Sequence, residues 1–205
     1  MAIYTRGPVT ECFAASITEL THPQSEFGTI VTPTAGALWA EIELLHAFIE
    51  ATVNTDPGSF IIQKTLEAVS NDRWIDVAEF TVTDALPETE ALSATEAAGV
   101  SSIAVASTTN LLSRQTIFIQ DASVVLDSEW HKIDRIVSNT SVELVNGLRV
   151  GKDASDAMFN AAETFPYTLD LSGVVRWRVI YAMNEEGTGA NVAIAGKFIE
   201  VRSIG

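Results

Sequence analysis

With 205 residues, of which 47% are hydrophobic and 19% charged, the chain has the make-up of a packed globular protein, long enough for one or two domains. Its formal charge of −15, from 27 acidic against 12 basic residues, excludes a phosphate-binding surface as the main function, because neutralising phosphates takes clustered Lys and Arg. Nucleic acid is therefore not an expected partner. The single cysteine, Cys12, excludes an internal disulfide and reads as a small apolar filler.

The opening Met1-Ala2-Ile3-Tyr4-Thr5-Arg6-Gly7-Pro8 has no basic start followed by an apolar run. No apolar stretch approaches the roughly 18 to 20 residues of a membrane span. A product made and folded in the cytoplasm, without a membrane partner, is expected.

Residues 1–35 are low in charge and broken by Pro8, Pro23 and Pro33. An amphipathic turn over Glu11 to Leu20 would align Phe13, Ile17 and Leu20. Two readings stay open for this segment: it packs on its own fold, or it is an extended arm lying on a neighbouring subunit.

From Gly36 the strand signals begin. In the run to Phe48, Ala40, Ile42, Leu44, His46 and Phe48 alternate with Glu41 and Glu43, which favours a strand over the helix that Leu38, Ile42, Leu45 and Ile49 would also allow. The turn residues Asn54 to Ser59 precede the extended Phe60 to Leu66, and the turn Ser70-Asn71-Asp72 precedes an alternating Trp74 to Val82. Neither side of that last strand is purely polar, so a covering layer or subunit is expected over it.

Composition shifts at Leu86 toward Ala, Ser and Thr, and a domain boundary is placed near residue 94. Between Leu111 and Leu148 three strands are predicted, Gln115 to Ile119, Ser128 to Val137 and Ser141 to Val145, in the manner of a small barrel or meander. Beyond Phe165 come Leu169 to Gly173 and then Val174 to Tyr181. A turn at Asn184 to Gly189 leads on to Asn191 to Val201, as in a hairpin. The expected architecture is all-β: an antiparallel, jelly-roll-like β-sandwich split over 36–93 and 160–205, with residues 94–159 inserted as a small β module and 1–35 as the N-terminal arm.

Residues able to carry chemistry are sparse. His22, His46 and His131 lack second ligands at zinc-like spacing. Asp121, Asp127 and Glu129 do not form the twelve-residue loop of a calcium site and read as loop carboxylates. Glu41, Glu43, Asp76 and Glu79 lie on strands, where a glycosidase pair is conceivable and solvent-facing acids are the cheaper explanation. Trp39, Trp74, Trp130 and Trp177 read as core residues before they read as a sugar platform. Gly187-Thr188-Gly189 is a turn, and no nucleophile elbow, phosphate loop or dinucleotide fingerprint is present in the sequence. No catalytic, cofactor or metal residue is assigned, and no enzymatic activity is expected.

The runs Gly58-Ser59-Phe60-Ile61-Ile62-Gln63, Asn71 to Thr81 and Val175-Arg176-Trp177-Arg178-Val179-Ile180-Tyr181 resemble those of β-sandwich structural proteins of tailed-bacteriophage virions. Similarly, Ile117 to Asp121, Asp127 to Ile133 and Thr140 to Leu144 look like the small β modules of phage head-decoration, neck and tail proteins. The resemblance implies a virion component, most simply a capsid decoration or cement protein. Its partners would be further copies of itself, a trimer for example, together with the major capsid protein or neighbouring virion proteins. A neck, collar or tail-fibre-associated protein is the alternative in the same class, and a carbohydrate-binding sandwich for host attachment the alternative in another.

Overall fold

The computed structural model describes residues 3–21, 24–49, 58–67, 73–83, 89–183 and 191–204. His22 and the predicted turns at 54–57, 70–72 and 184–189 lie outside these. In chain order the strands are β1 (Ile3–Glu11), β2 (Thr18–Thr21), β3 (Glu26–Phe27), β4 (Ala37–Phe48), β5 (Ser59–Thr65), β6 (Ile75–Thr81), β7 (Thr89–Ala91) and β8 (Ser102–Ala104). There follow β9 (Thr116–Gln120), β10 (Glu129–Ser138), β11 (Ser141–Leu144), β12 (Ala157–Phe159), β13 (Ala162–Asp170), β14 (Arg176–Ala182) and β15 (Asn191–Ile204). Among the described residues all the strand pairings are antiparallel, and a single 3-10 turn covers Val125–Asp127.

Two sheets make the sandwich. One runs β1-β15-β4-β13, with β2 beside the start of β15; the other runs β3-β14-β5-β6. On β4 the alternation holds: Ala40, Ile42, Leu44, His46 and Phe48 are buried between the sheets, and Trp39, Glu41 and Glu43 point outward. The opposing sheet contributes Phe60, Ile62, Trp177, Val179 and Tyr181 to the same core.

The expected hairpin between the strand at Val174 to Tyr181 and the strand at Asn191 to Val201 does not form. β14 pairs β5 and β3, whereas β15 pairs β4, β1 and β2 in the other layer. Each strand has a bulky inward face, and the two faces meet across the core, Trp177 lying edge-on to Phe198 with ring centroids 4.7 Å apart. Side by side in one sheet those faces would have had nothing to cover them.

The N-terminal segment packs on its own fold. β1 and β2 lie in succession along the same edge of β15, and between them the chain dips so that Cys12 and Phe13 enter the core. Gly196 permits this, since a Cβ there would stand 3.1 Å from Cys12, Leu44 and Phe13. Phe13, Ile17 and Leu20 are all buried, without the helical turn that their spacing suggested. Two of the three border strands of this sheet carry a proline, Pro8 in β1 and Pro166 in β13, and β2 carries none. β6 forms a border of the second sheet, so Ile75 and Glu79 stand in solvent where a cover was expected, and only Val77, Ala78 and Phe80 pack against the core.

Between β6 and β13 the chain builds a third sheet of six strands, ordered β7-β12-β9-β10-β11-β8. Its outer strands return to each other through the Leu92–Val105 bridge, with Ser93 N donating to Ala104 O and Ala106 N to Ala91 O, so the sheet curls into a small barrel. Since β7 pairs with β12, strands on the barrel side begin at 89, ahead of the boundary drawn at 94. The barrel interior is aliphatic, with Leu92, Ile103, Val105, Ile117, Ile119, Ile133, Val142 and Met158. It sits on the outer face of the first sheet, where Phe118 and Phe159 meet Ala47 and Ala193.

Candidate functional site

β10 begins at the seam between barrel and sandwich, and its alternation aims Glu129, His131 and Ile133 inward. Trp130 points the other way, toward the sandwich, and its Nε1–H donates to the His46 carbonyl at 3.2 Å. Glu129 is buried, and each of its oxygens takes two donors. Oε1 accepts from Val150 N at 3.0 Å and from Lys152 Nζ at 3.0 Å. Oε2 accepts from Arg149 N at 2.7 Å and from His131 Nε2 at 3.1 Å. Burial alone would push the carboxyl up, but the His131 donor, the two amides and the Lys152 ammonium overcome it and hold Glu129 at about 2. With every lone pair engaged, this carboxylate is a permanent anion at neutral pH, unsuited to moving protons.

Lys152 has no exposed side-chain surface, and its Nζ also donates to the Asp127 carbonyl at 2.6 Å. The buried pair thus ties loop 121–128 to loop 145–156. Asp121 closes the first loop on itself: Oδ1 accepts from Ser123 N, Ser123 Oγ and Val124 N at 2.9, 2.7 and 2.8 Å, which holds its carboxyl below the usual range, the serine hydroxyl contributing most. Asp121 N donates to Ser128 Oγ, and Arg149 Nη2 to Leu126 O. On this pinned loop Val124, Val125 and Leu126 are 47, 40 and 51% exposed. Three consecutive apolar side chains in solvent are disfavoured unless something covers them.

Below the loop a cleft of about 390 Å³ opens along the seam, with Glu11, Ser16 and Lys197 on the sandwich side and Ser128, Glu129 and Arg149 on the barrel side. Burial pushes the Glu11 carboxyl up, and Lys197 pulls it partway back.

The other sequence candidates are dispersed. Glu41 pairs with Arg6 at 2.9 Å and Glu43 with Lys197 at 2.7 Å on the first sheet, while Asp76 accepts from Gln63 on the second. Glu79 is exposed on β6. His46 is buried with Nε2 at 3.1 Å from the Tyr181 hydroxyl, and burial lowers it to about 3, so it is neutral. Burial likewise pushes the Cys12 thiol up to about 12. Asp121, Asp127 and Glu129 do meet at one loop, yet as hydrogen-bond acceptors. Among the described residues no group of three or more His, Cys, Asp or Glu is placed to hold a metal ion.

Of the four tryptophans only Trp177 is fully buried. Each of the other three has company at its ring: Tyr4 at 5.2 Å from Trp39, the Arg178 and Arg176 guanidinium groups 4.3 and 6.0 Å from Trp74, and Phe118 at 4.4 Å from Trp130. The Glu129–Lys152 pair escaped the sequence reading because Lys152 sits in a polar run; the usable signal was that Glu129 and His131 share the inward phase of Ile133.

No family model, curated protein or solved structure matches the chain significantly.

Proposed function

We propose that this chain is a structural component of a tailed-bacteriophage virion, a capsid decoration or cement protein that works through repeated contacts with copies of itself and with the shell. The observation that carries this reading is the Val124–Val125–Leu126 loop, apolar and exposed, yet fixed from beneath by a buried ion pair. Such rigidity is what an interface anchor requires, because little conformational entropy remains to be lost on docking. The resemblance of the strand and turn motifs to those of phage sandwich proteins supports this reading, and the −15 charge suits a product that must remain dispersed before assembly.

The test is the composition of purified particles from cells that produce the chain. Co-sedimentation at a copy number comparable with the capsid subunits is expected. Recovery in the unassembled soluble fraction alone overturns the reading.

A further inference from the structure

Three apolar side chains on a pinned loop call for a complementary hollow, and the molecule carries one. On the outer face of the first sheet, beyond the barrel, the side chains of Val9 and Ile199 border a furrow of about 300 Å³ that runs over the strands at Ile42 and Phe198, whose own side chains point into the core. That volume is roughly ten waters at bulk density, room for two aliphatic side chains. Val9 is 59% exposed there, and Glu41, Glu43 and Lys197 form the rim. Exposed Arg149, bound to the loop through Leu126 O, brings a guanidinium able to join the Arg6–Glu41 and Lys197–Glu43 pairs at that rim.

Position favours a like partner. Ser128 and Arg149 at the base of the loop and Lys197 at the furrow all border the seam cleft, so loop and furrow open on the same side of the molecule. Two copies related by a two-fold axis can then exchange loops, each into the other's furrow, in a closed contact made twice.

We propose that the Val124–Leu126 loop docks into the Val9–Ile199 furrow of a second copy of this chain, a contact that rests on the assembly role put forward above and supplies its repeating unit. Leu126 and one of the two valines enter the furrow as the apolar anchor. Arg149 meets Glu41 and Glu43 at the rim, where pairing contributes more to orientation than to affinity.

The test is sedimentation velocity of the full chain at about 0.15 M salt, where a Debye length of about 8 Å limits repulsion between copies. Four samples are compared: wild type, Leu126→Asp, Val9→Asp, and an equimolar mixture of the two variants. Both substitutions are at exposed positions, and unchanged thermal midpoints show that the fold is kept. Wild type is expected to dimerise, each variant alone to associate at least tenfold more weakly, and the mixture to recover association through its one intact loop and furrow. A wild type that stays monomeric, or a mixture no better than its parts, overturns the contact.

Particle binding separates the two ideas. If wild type is monomeric but Leu126→Asp no longer co-sediments with particles, the loop meets a different virion protein: the self-contact is overturned and the virion role stands. If the chain dimerises as expected and never accompanies particles, the contact stands and the virion role falls.

Discussion

The two cores of this molecule are built from different materials. Rings fill the sandwich, where Phe13, Phe48, Phe60, Trp177, Tyr181 and Phe198 interlock between layers. The barrel's own cluster is aliphatic, and its end is finished by Glu129 against Lys152. Facing sheets stand about 10 Å apart and have room for rings, whereas a narrow cylinder admits only smaller inward groups. The contrast teaches how each region holds its loops. In the sandwich the link between β1 and β2 is fixed by the packing of Cys12 and Phe13; in the barrel two loops are fixed by charge brought out of water.

Substitution on either side of this contrast breaks it most sharply. Trp177→Ala and Lys152→Ala are each expected to cost about 3–5 kcal/mol, the first by leaving a cavity and the second by stranding the Glu129 charge. Hydrogen exchange distinguishes them: Lys152→Ala should release amides of 121–128 and 145–156 first, and Trp177→Ala those of β5 and β14. Equal protection of both loops in the Lys152 variant would show that packing holds them after all. Replacing the pair together, by Glu129→Gln with Lys152→Met, should cost much less than Lys152→Ala, because no charge is stranded.

Acid should separate the regions next. His46 titrates at about 3 in the fold against an ordinary 6.5, so its neutral form stabilises the sandwich fully above 6.5. That contribution drains as pH falls from 6.5 toward 3, by up to about 1.4 kcal/mol per pH unit. Glu129, at about 2 against 4.5, stabilises fully above 4.5 and loses its contribution only between 4.5 and 2. Denaturant midpoints followed against pH should therefore fall in two stages, and His46→Phe should flatten the first stage alone. A single stage starting below 4.5 in the wild type would contradict the burial of His46. The smallest effect belongs to the exposed Arg135–Glu143 pair on the barrel, 2.6 Å apart. A double-mutant cycle on it should return about 0–1 kcal/mol, and a larger coupling would mean that the barrel draws on its surface charge as well as its buried pair.

Much of this fold was legible because alternation is a local signal. The inward set on β4 and the three long barrel strands were readable from residue types alone. Partnership between strands was not. β13, β14 and β15 follow one another along the chain and lie in alternate layers, an arrangement in which Trp177 meets Phe198 across the core. The strands β7, β8 and β12 were missed since each is three residues long, too short to carry a period. Their existence depends on closing the barrel. Likewise the candidate site was half visible: Asp121, Asp127 and Glu129 stood out as acids near one loop, while Lys152 looked like solvent-facing polar sequence until its partner 23 positions upstream was in place.

Pro8 and Pro166 sit on opposite borders of the first sheet, and neither can donate the main-chain hydrogen that an incoming foreign strand would need. The barrel, joined end to end, offers no such border, and β3 is only two residues long. Among the described strands, β2 and β6 are the borders that carry neither device, so sideways pairing by a foreign strand is expected to begin there.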